Sequence, residues 1–184
     1  MSPIKTREYL QFPDSARKAG VLALFYPSNK HDLELIFIKR PTKNPMDKHG
    51  GQVSFPGGQI EQGDRHMIDT ALRETEEEIG IPSNKIKVLG QLSPIYVYVS
   101  NFIVTPVVGF IDFKPEYILQ ESEVDYVITS PLTHLIDPHN RKTKDLKVRS
   151  HLLKQVPYFD LQGEVLWGAT AMMTSELLHI ISDL

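Results

Sequence analysis

Within the run LRETEEEIGI, Arg73, Glu74, Glu77 and Glu78 are the side chains of this sequence best suited to do chemistry. In a helix, at about 100° per residue, the spacing i, i+3, i+4 puts Glu74, Glu77 and Glu78 within one arc of roughly 100°. Three carboxylates on one face repel one another by a few tenths of a kcal/mol per pair even when exposed. A divalent cation relieves that repulsion, and hard oxygen ligands suit Mg²⁺ or Mn²⁺. Glu76 points away from the three, and Arg73 is placed to orient a glutamate. An isolated Glu-Glu-Glu run is more often a solvated acidic surface, so the flanking residues carry the decision.

Those flanks are legible as the elements that position the helix. Val53-Ser54-Phe55 reads as a strand broken at Pro56-Gly57-Gly58, where glycine permits positive φ and close approach of backbone to a ligand. A polar loop then delivers Asp64 as the expected N-cap, and Gly80 stands at the expected C-cap. Ile68, Leu72, Thr75 and Ile79 recur at i, i+4, i+7 and i+11, the expected core-facing stripe.

Taken together, Gly58, Arg73-Glu74, Glu77-Glu78, Gly80 and Ile81 resemble the Nudix box, G-x5-E-x7-R-E-U-x-E-E-x-G-U with U apolar. Asp64 stands where the family usually has Glu, eight residues rather than seven separate it from Arg73, and Thr75 replaces an apolar residue. An aspartate and one extra residue here resemble the coenzyme A pyrophosphatase branch. Arg40…Met46-Asp47-Lys48-His49-Gly50-Gly51-Gln52-Val53-Ser54-Phe55-Pro56-Gly57-Gly58 resembles that branch's extended pattern, LLTxRS…LRxHxGxVxFPGG, with Asp47 departing where the branch usually has Arg. Leu166-Trp167-Gly168-Ala169-Thr170-Ala171 resembles its IWGATA end.

The resemblance implies an α/β (α+β) fold, an α/β/α sandwich with a mixed sheet between helices. It also implies metal-dependent hydrolysis of the pyrophosphate of coenzyme A or its thioesters to 3′,5′-ADP and (acyl-)4′-phosphopantetheine. Glu74, Glu77 and Glu78 are then the expected ligands of Mg²⁺ or Mn²⁺, with Glu77 also among the catalytic candidates and Arg73 an orienting ion-pair partner. Glu123, in an E-V context before a strand, is the expected general base, with a plain edge-strand charge as the equal alternative. Arg40, Lys48, His49, Gly57 and Gly58 are the substrate-binding candidates, and the Arg141-to-Lys144 loop offers further cations for a 3′-phosphate. Tyr96 and Tyr98 share a side if extended, either as packing or as a surface for the adenine or the pantetheine arm. The alternatives are a Nudix hydrolase of ADP-ribose, a dNTP or another nucleoside diphosphate derivative, and a catalytically inactive Nudix-like binding module.

The whole chain sets the bounds. Its 184 residues, 41% of them apolar, suit one domain over 1–184 with residues 1–18 as an N-terminal arm. A net charge of −3 gives no overall basic field for nucleic acid or anionic membrane, local patches aside. With no cysteine there is no disulfide framework, thiolate nucleophile or cysteine zinc site. No apolar run approaches the roughly 20 residues of a membrane span, and MSPIKTREYL lacks an apolar signal core, so the expected location is cytoplasmic. Gly20–Tyr26 and Leu33–Lys39 read as a hairpin, followed by a long loop, Pro41–Gly51. Further along, Ile86–Leu92 reads as a strand, and Phe102–Ile111 as a buried strand whose Pro106 marks an edge or bulge. Pro131–Ile136 is a short helix with Pro at its first position and 137–147 a polar loop. Val148–Leu166 forms strand, turn and strand. Gly168–Leu184 is a helix with Met173, Leu177, Ile180, Ile181 and Leu184 inward.

Overall fold

The computed structural model describes residues 12–28, 32–42, 48–148 and 151–183; Asp47, Leu184 and residues 1–11 of the expected arm lie outside them. The expected hairpin is present as β1 (Arg17–Pro27) antiparallel to β2 (Leu33–Lys39). Arg17 and Lys18 belong to this strand rather than to an arm, because β1 also pairs in parallel with β7 (Phe102–Phe110), starting at Arg17 opposite Phe102. Such a long-range pairing leaves no local trace in the sequence.

β1 and β2 are paired only at residues 25–27 and 33–35, and the segment 53–59 occupies the fork between them. β3 (Val53–Ser54) pairs with the end of β2, β4 (Gly57–Gln59) with the start of β1, and the Leu22 amide donates to the Pro56 carbonyl at 2.8 Å. Gly57 and Gly58 therefore lie in a strand, not in a simple turn. β7 carries a second fork on its other side. β6 (Ile95–Val97) covers residues 102–104 and β5 (Lys87–Gln91) covers 107–110. Pro106 sits between the two short partners, where its carbonyl accepts from the Leu92 amide. It is neither at a sheet edge nor at the register shift, which falls between Val88 and Gly90, so the gap between partner strands accommodates the missing N–H. β8 (Tyr126–Pro131) completes this mixed sheet beside β2.

Both faces of the sheet are buried, which explains why β1 and β2 read as continuous apolar runs. Leu22, Leu24, Ile36, Ile38 and Val107 face α1 (Met67–Ile79), while Ala23, Phe25, Leu35, Phe37 and Val108 face α2 (Leu132–Ile136) and α3 (Gly168–Ser182). The result is the expected α/β/α sandwich. A smaller sheet of β9 (Arg141–Val148), β10 (His151–Leu161) and β11 (Glu164–Leu166) adds Phe159, Leu161 and Leu166 to the α3 side.

Three local expectations are corrected. Residues 141–148 are strand rather than loop; β9 is exposed along most of its length, so no apolar alternation marks it. Pro131 caps α2 from outside instead of starting it. On α3 the inward side holds Thr170, Thr174 and Glu176 beside Met173, Leu177 and Leu178, whereas Ile180 is exposed. Two of these buried polar side chains have partners: Thr174 Oγ1 donates to the Thr170 carbonyl at 2.9 Å, and Glu176 accepts from the Ser93 amide at 2.8 Å.

Candidate active site

Helix α1 lies so close to β1 that a Cβ on Gly20 would stand 2.3 Å from the Met67 carbonyl oxygen. Small residues allow this approach, so the buried stripe is Thr70, Ala71, Thr75, Glu78 and Ile79, with Ile68 and Leu72 only partly covered. The helix is turned further towards its glutamates than the apolar spacing indicates, and Glu78 goes inside. Its ends are fixed by His66, whose side chain accepts from the Asp69 amide, and by Gly80 in the left-handed region (φ 74°). Asp64 is thus not the N-cap. It receives Thr70 Oγ1 at 2.9 Å and Arg73 through Nε at 3.2 Å and Nη2 at 3.0 Å.

Arg73 ties the box together. Besides Asp64 it reaches Glu74 Oε1 at 3.0 Å, Glu77 Oε2 at 2.9 Å and the Gln59 carbonyl at 3.2 Å. Its hydrogen bonds hold the Asp64 carboxyl well below the usual range, at about 2.

Glu78 is 1% exposed, and burial pushes its carboxyl up to about 8. Oε2 accepts from the Gly57 amide at 2.8 Å; Oε1 has no hydrogen-bond partner among the described residues, and Arg40 Nη1 stands 3.9 Å away. Gly57 is where this arrangement needs a glycine, with φ 143° and a Cβ that would press on the Gly20 carbonyl and the Val21 backbone; a Cβ on Gly58 would displace the Glu74 carboxylate. Glu74, shifted upward mainly by burial, and Glu78 form with Glu123 a group whose carboxylate oxygens lie within 4.8 Å of one another. Glu123 arrives through backbone pairing: the Gln120 amide donates to the Glu78 carbonyl at 3.0 Å, and Val124 is buried in the α1 core. The Glu77 carboxylate, 57% exposed, lies outside this group against Arg73. The orphaned buried oxygen and the all-carboxylate donor set fit a hard divalent cation.

Arg40, Lys48, His49, Gly57 and Gly58 line a single cavity of about 460 Å³. Lys48 Nζ donates to the Val99 carbonyl at 3.0 Å, and His49 Nδ1 lies 3.1 Å from Gln52 Oε1. Arg40 connects this cavity with Glu78. The remaining lining is largely apolar and includes Val97, Val99, Val104, Trp167, Thr170 and Met173. Sequence reasoning missed these walls, because apolar strand and helix residues facing a cavity look like core. Tyr96 and Tyr98 are not among the lining residues: their rings meet edge-on at 6.5 Å, Tyr96 donates to Asn101, and Tyr98 is 83% exposed. The opposite parity, Val97 and Val99, faces the cavity. The expected basic loop is also engaged elsewhere, with Lys142 on Asp160 at 2.6 Å, Arg141 over Phe159 and Lys144 over Tyr158.

Residues 16–162 match the model of the NUDIX domain. The chain belongs to the Nudix hydrolase family. A protein from Pectobacterium atrosepticum named "Uncharacterized Nudix hydrolase NudL" is 35% identical to it, over 97% of this chain and 93% of that one. A NudL of Photorhabdus laumondii is likewise 35% identical, over 96% and 95%. Among solved structures, the Nudix hydrolase RenU from M. Smegmatis superposes with a TM-score of 0.63 at 13% identity, covering 92% of this chain and 88% of that one. The NUDIX domain of Shewanella oneidensis NrtR, solved with ADP ribose, gives 0.52 at 16% identity over 74% and 87%. At such identities the structures speak to the fold alone. The Nudix assignment carries with it pyrophosphohydrolase chemistry on nucleotide-derived substrates and a general use of divalent metal ions.

Proposed function

We propose that this Nudix hydrolase splits the pyrophosphate of coenzyme A or its thioesters into 3′,5′-ADP and (acyl-)4′-phosphopantetheine. The observation that carries the reading is the junction at Arg40: a largely apolar cavity with Arg40, Lys48 and His49 on its wall abuts the buried carboxylate of Glu78. Coenzyme A has the matching plan, a charged pyrophosphate joined to a long, mostly neutral arm. ADP-ribose and dNTPs lack that arm. The similarity to the coenzyme A pyrophosphatase pattern at His49–Gly58 and Leu166–Ala171 points the same way.

In this reading Glu74, Glu77 and Glu78 would hold Mg²⁺ or Mn²⁺, and Glu77 would leave Arg73 to do so. The bound ion would supply positive charge to the phosphate oxygens and acidify the attacking water. Glu123 takes a proton from that water as its oxygen bonds to phosphorus, and the bridging P–O bond breaks to release the second phosphomonoester. Arg73 is a positioning residue, holding Glu74 and Asp64. Arg40 meets a phosphate at the cavity wall. Residues 1–184 act as one domain, and the location is cytoplasmic; among the described residues no helix is long and apolar enough to cross a membrane.

The test is a panel of CoA, acetyl-CoA, dephospho-CoA, ADP-ribose and dNTPs with Mg²⁺ or Mn²⁺, products being identified by mass spectrometry. The expected products from CoA are 3′,5′-ADP and 4′-phosphopantetheine, with no turnover in excess EDTA. A kcat/KM for ADP-ribose or a dNTP tenfold above that for CoA would overturn the reading.

A further inference from the structure

The cavity wall carries Arg40, Lys48 and His49 together with apolar residues of β6, β7 and α3. Arg40 stands beside Glu78, and the Lys48 ammonium donates to the carbonyl of Val99, an exposed residue in the turn after β6. Among its lining residues Phe55, Met173 and Thr170 are buried, at 1%, 3% and 8% exposure, as are Ala19 and Ser100 at 6% each. Trp167, Ala169, Thr170 and Met173 all come from the start of α3, beyond residues 16–162 that match the family domain. The volume of about 460 Å³ lies within the roughly 300–1,000 Å³ of small-molecule sites. A ligand whose phosphates met Arg40 would leave its neutral arm to the apolar lining, to which the start of α3 contributes Trp167, Ala169 and Met173.

We infer that the first turns of α3 select the arm of the substrate, Met173 and Thr170 forming a floor that sets how long an acyl group the cavity accepts. The inference rests on the coenzyme A reading and adds to it a measuring element outside the family domain. Apolar walls reward each methylene buried before the floor by about fourfold in affinity. Once the chain reaches Met173 the gain ends, because close-packed interiors resist further insertion.

The test compares kcat/KM for CoA and for straight-chain acyl-CoAs of increasing length in the wild type, Met173→Ala and Ala169→Leu. Met173→Ala deepens the floor and should move the optimum to longer chains, with a gain of about fourfold or more on the longer thioesters relative to CoA. Ala169→Leu narrows the wall from a half-buried position and should move the optimum the other way. Thermal melting establishes that each variant is folded; should Met173→Ala fail to fold, Ala169→Leu decides. Unchanged chain-length profiles in folded variants of an enzyme that hydrolyses CoA would overturn the inference and leave the coenzyme A reading standing. A wild type that hydrolyses ADP-ribose but no form of CoA would overturn both.

Discussion

The two helices that sandwich the central sheet are built on opposite principles. α1 brings charge together: Arg73 bridges Glu74 and Glu77 to Asp64, and Glu78 is buried at 1% exposure, its Oε1 lacking a hydrogen bond among the described residues with Arg40 3.9 Å away. α3 brings apolar surface together, and the buried side chains of Thr174 and Glu176 are each paired. A helix of the first kind is costly to keep without a ligand, since a buried carboxyl carries a desolvation cost whether it stays neutral with one oxygen lacking a hydrogen bond or ionises. A helix of the second kind gains stability from burial alone. The difference teaches that local instability and chemical capacity coincide on α1.

The largest expected effect breaks this contrast at its centre. Glu78→Gln should lower kcat by roughly 10³-fold, because several kcal/mol of charge stabilisation are lost. The same change should not harm the metal-free fold, since glutamine can still accept from the Gly57 amide. The sign can be read from pH. Burial raises Glu78 from 4.5 to about 8, so its contribution to metal-free stability is complete below 4.5 and is lost as pH rises towards 8. Above pH 8 the metal-free variant should therefore melt at or above the wild type. A variant that melts well below the wild type there would show Glu78 to be a structural group.

Next comes Glu123→Gln, expected to lower kcat by about 10²-fold while leaving the metal concentration for half-maximal activity nearly unchanged. A large rise in that concentration would move Glu123 from base to ligand, a role its place within 4.8 Å of Glu74 and Glu78 also permits. Glu77→Gln should show the converse, about tenfold lower activity with a higher metal requirement. Glu76→Gln, whose carboxylate accepts from the Ser83 amide at 2.9 Å, should stay within about twofold. Equal damage from Glu76 and Glu77 would sink the division of α1 into a working and a structural side.

How much of this was legible in the sequence follows the same division. The α1 residues could be read because their relations are local: i, i+3 and i+4 spacing within one helix, with Gly80 at its end. The α/β/α layering followed from apolar runs and the Nudix resemblance. Relations that cross the chain were harder. Glu123 is delivered by the pairing of Gln120 with Glu78, which no spacing reveals, and was found only through its E-V context. The cavity walls on β6, β7 and α3 carry the same residue types as the core, so nothing in the sequence distinguishes Val97 and Val99, which line the cavity, from packed residues, while Tyr96 and Tyr98 stand out without lining it. Asp64 has the sequence position of a cap, because aspartate before a helix usually is one. Its tie to Arg73, nine positions on, won instead.

The smallest effect separates the two helices by pH. Arg73 holds Asp64 at about 2 against an ordinary 3.8, so the stability Asp64 contributes is present in full above pH 4 and is lost as pH falls towards 2. Asp64→Asn should cost on the order of 2 kcal/mol at neutral pH, the worth of a charge-assisted hydrogen-bond set. The two proteins should converge in melting temperature as pH falls towards 2, because the wild type then carries a neutral carboxyl as well. Met173→Ala on α3 removes apolar contacts and should cost about 3 kcal/mol. No charge change accompanies that loss, so its melting difference from the wild type should stay level over the same range. Melting curves of the three proteins from pH 2 to pH 6 decide the matter. If the Asp64→Asn difference were as level as that of Met173→Ala, the Asp64–Arg73 pair would be contributing shape rather than charge, and the contrast between a charge-built α1 and a packing-built α3 would fail at its outermost residue.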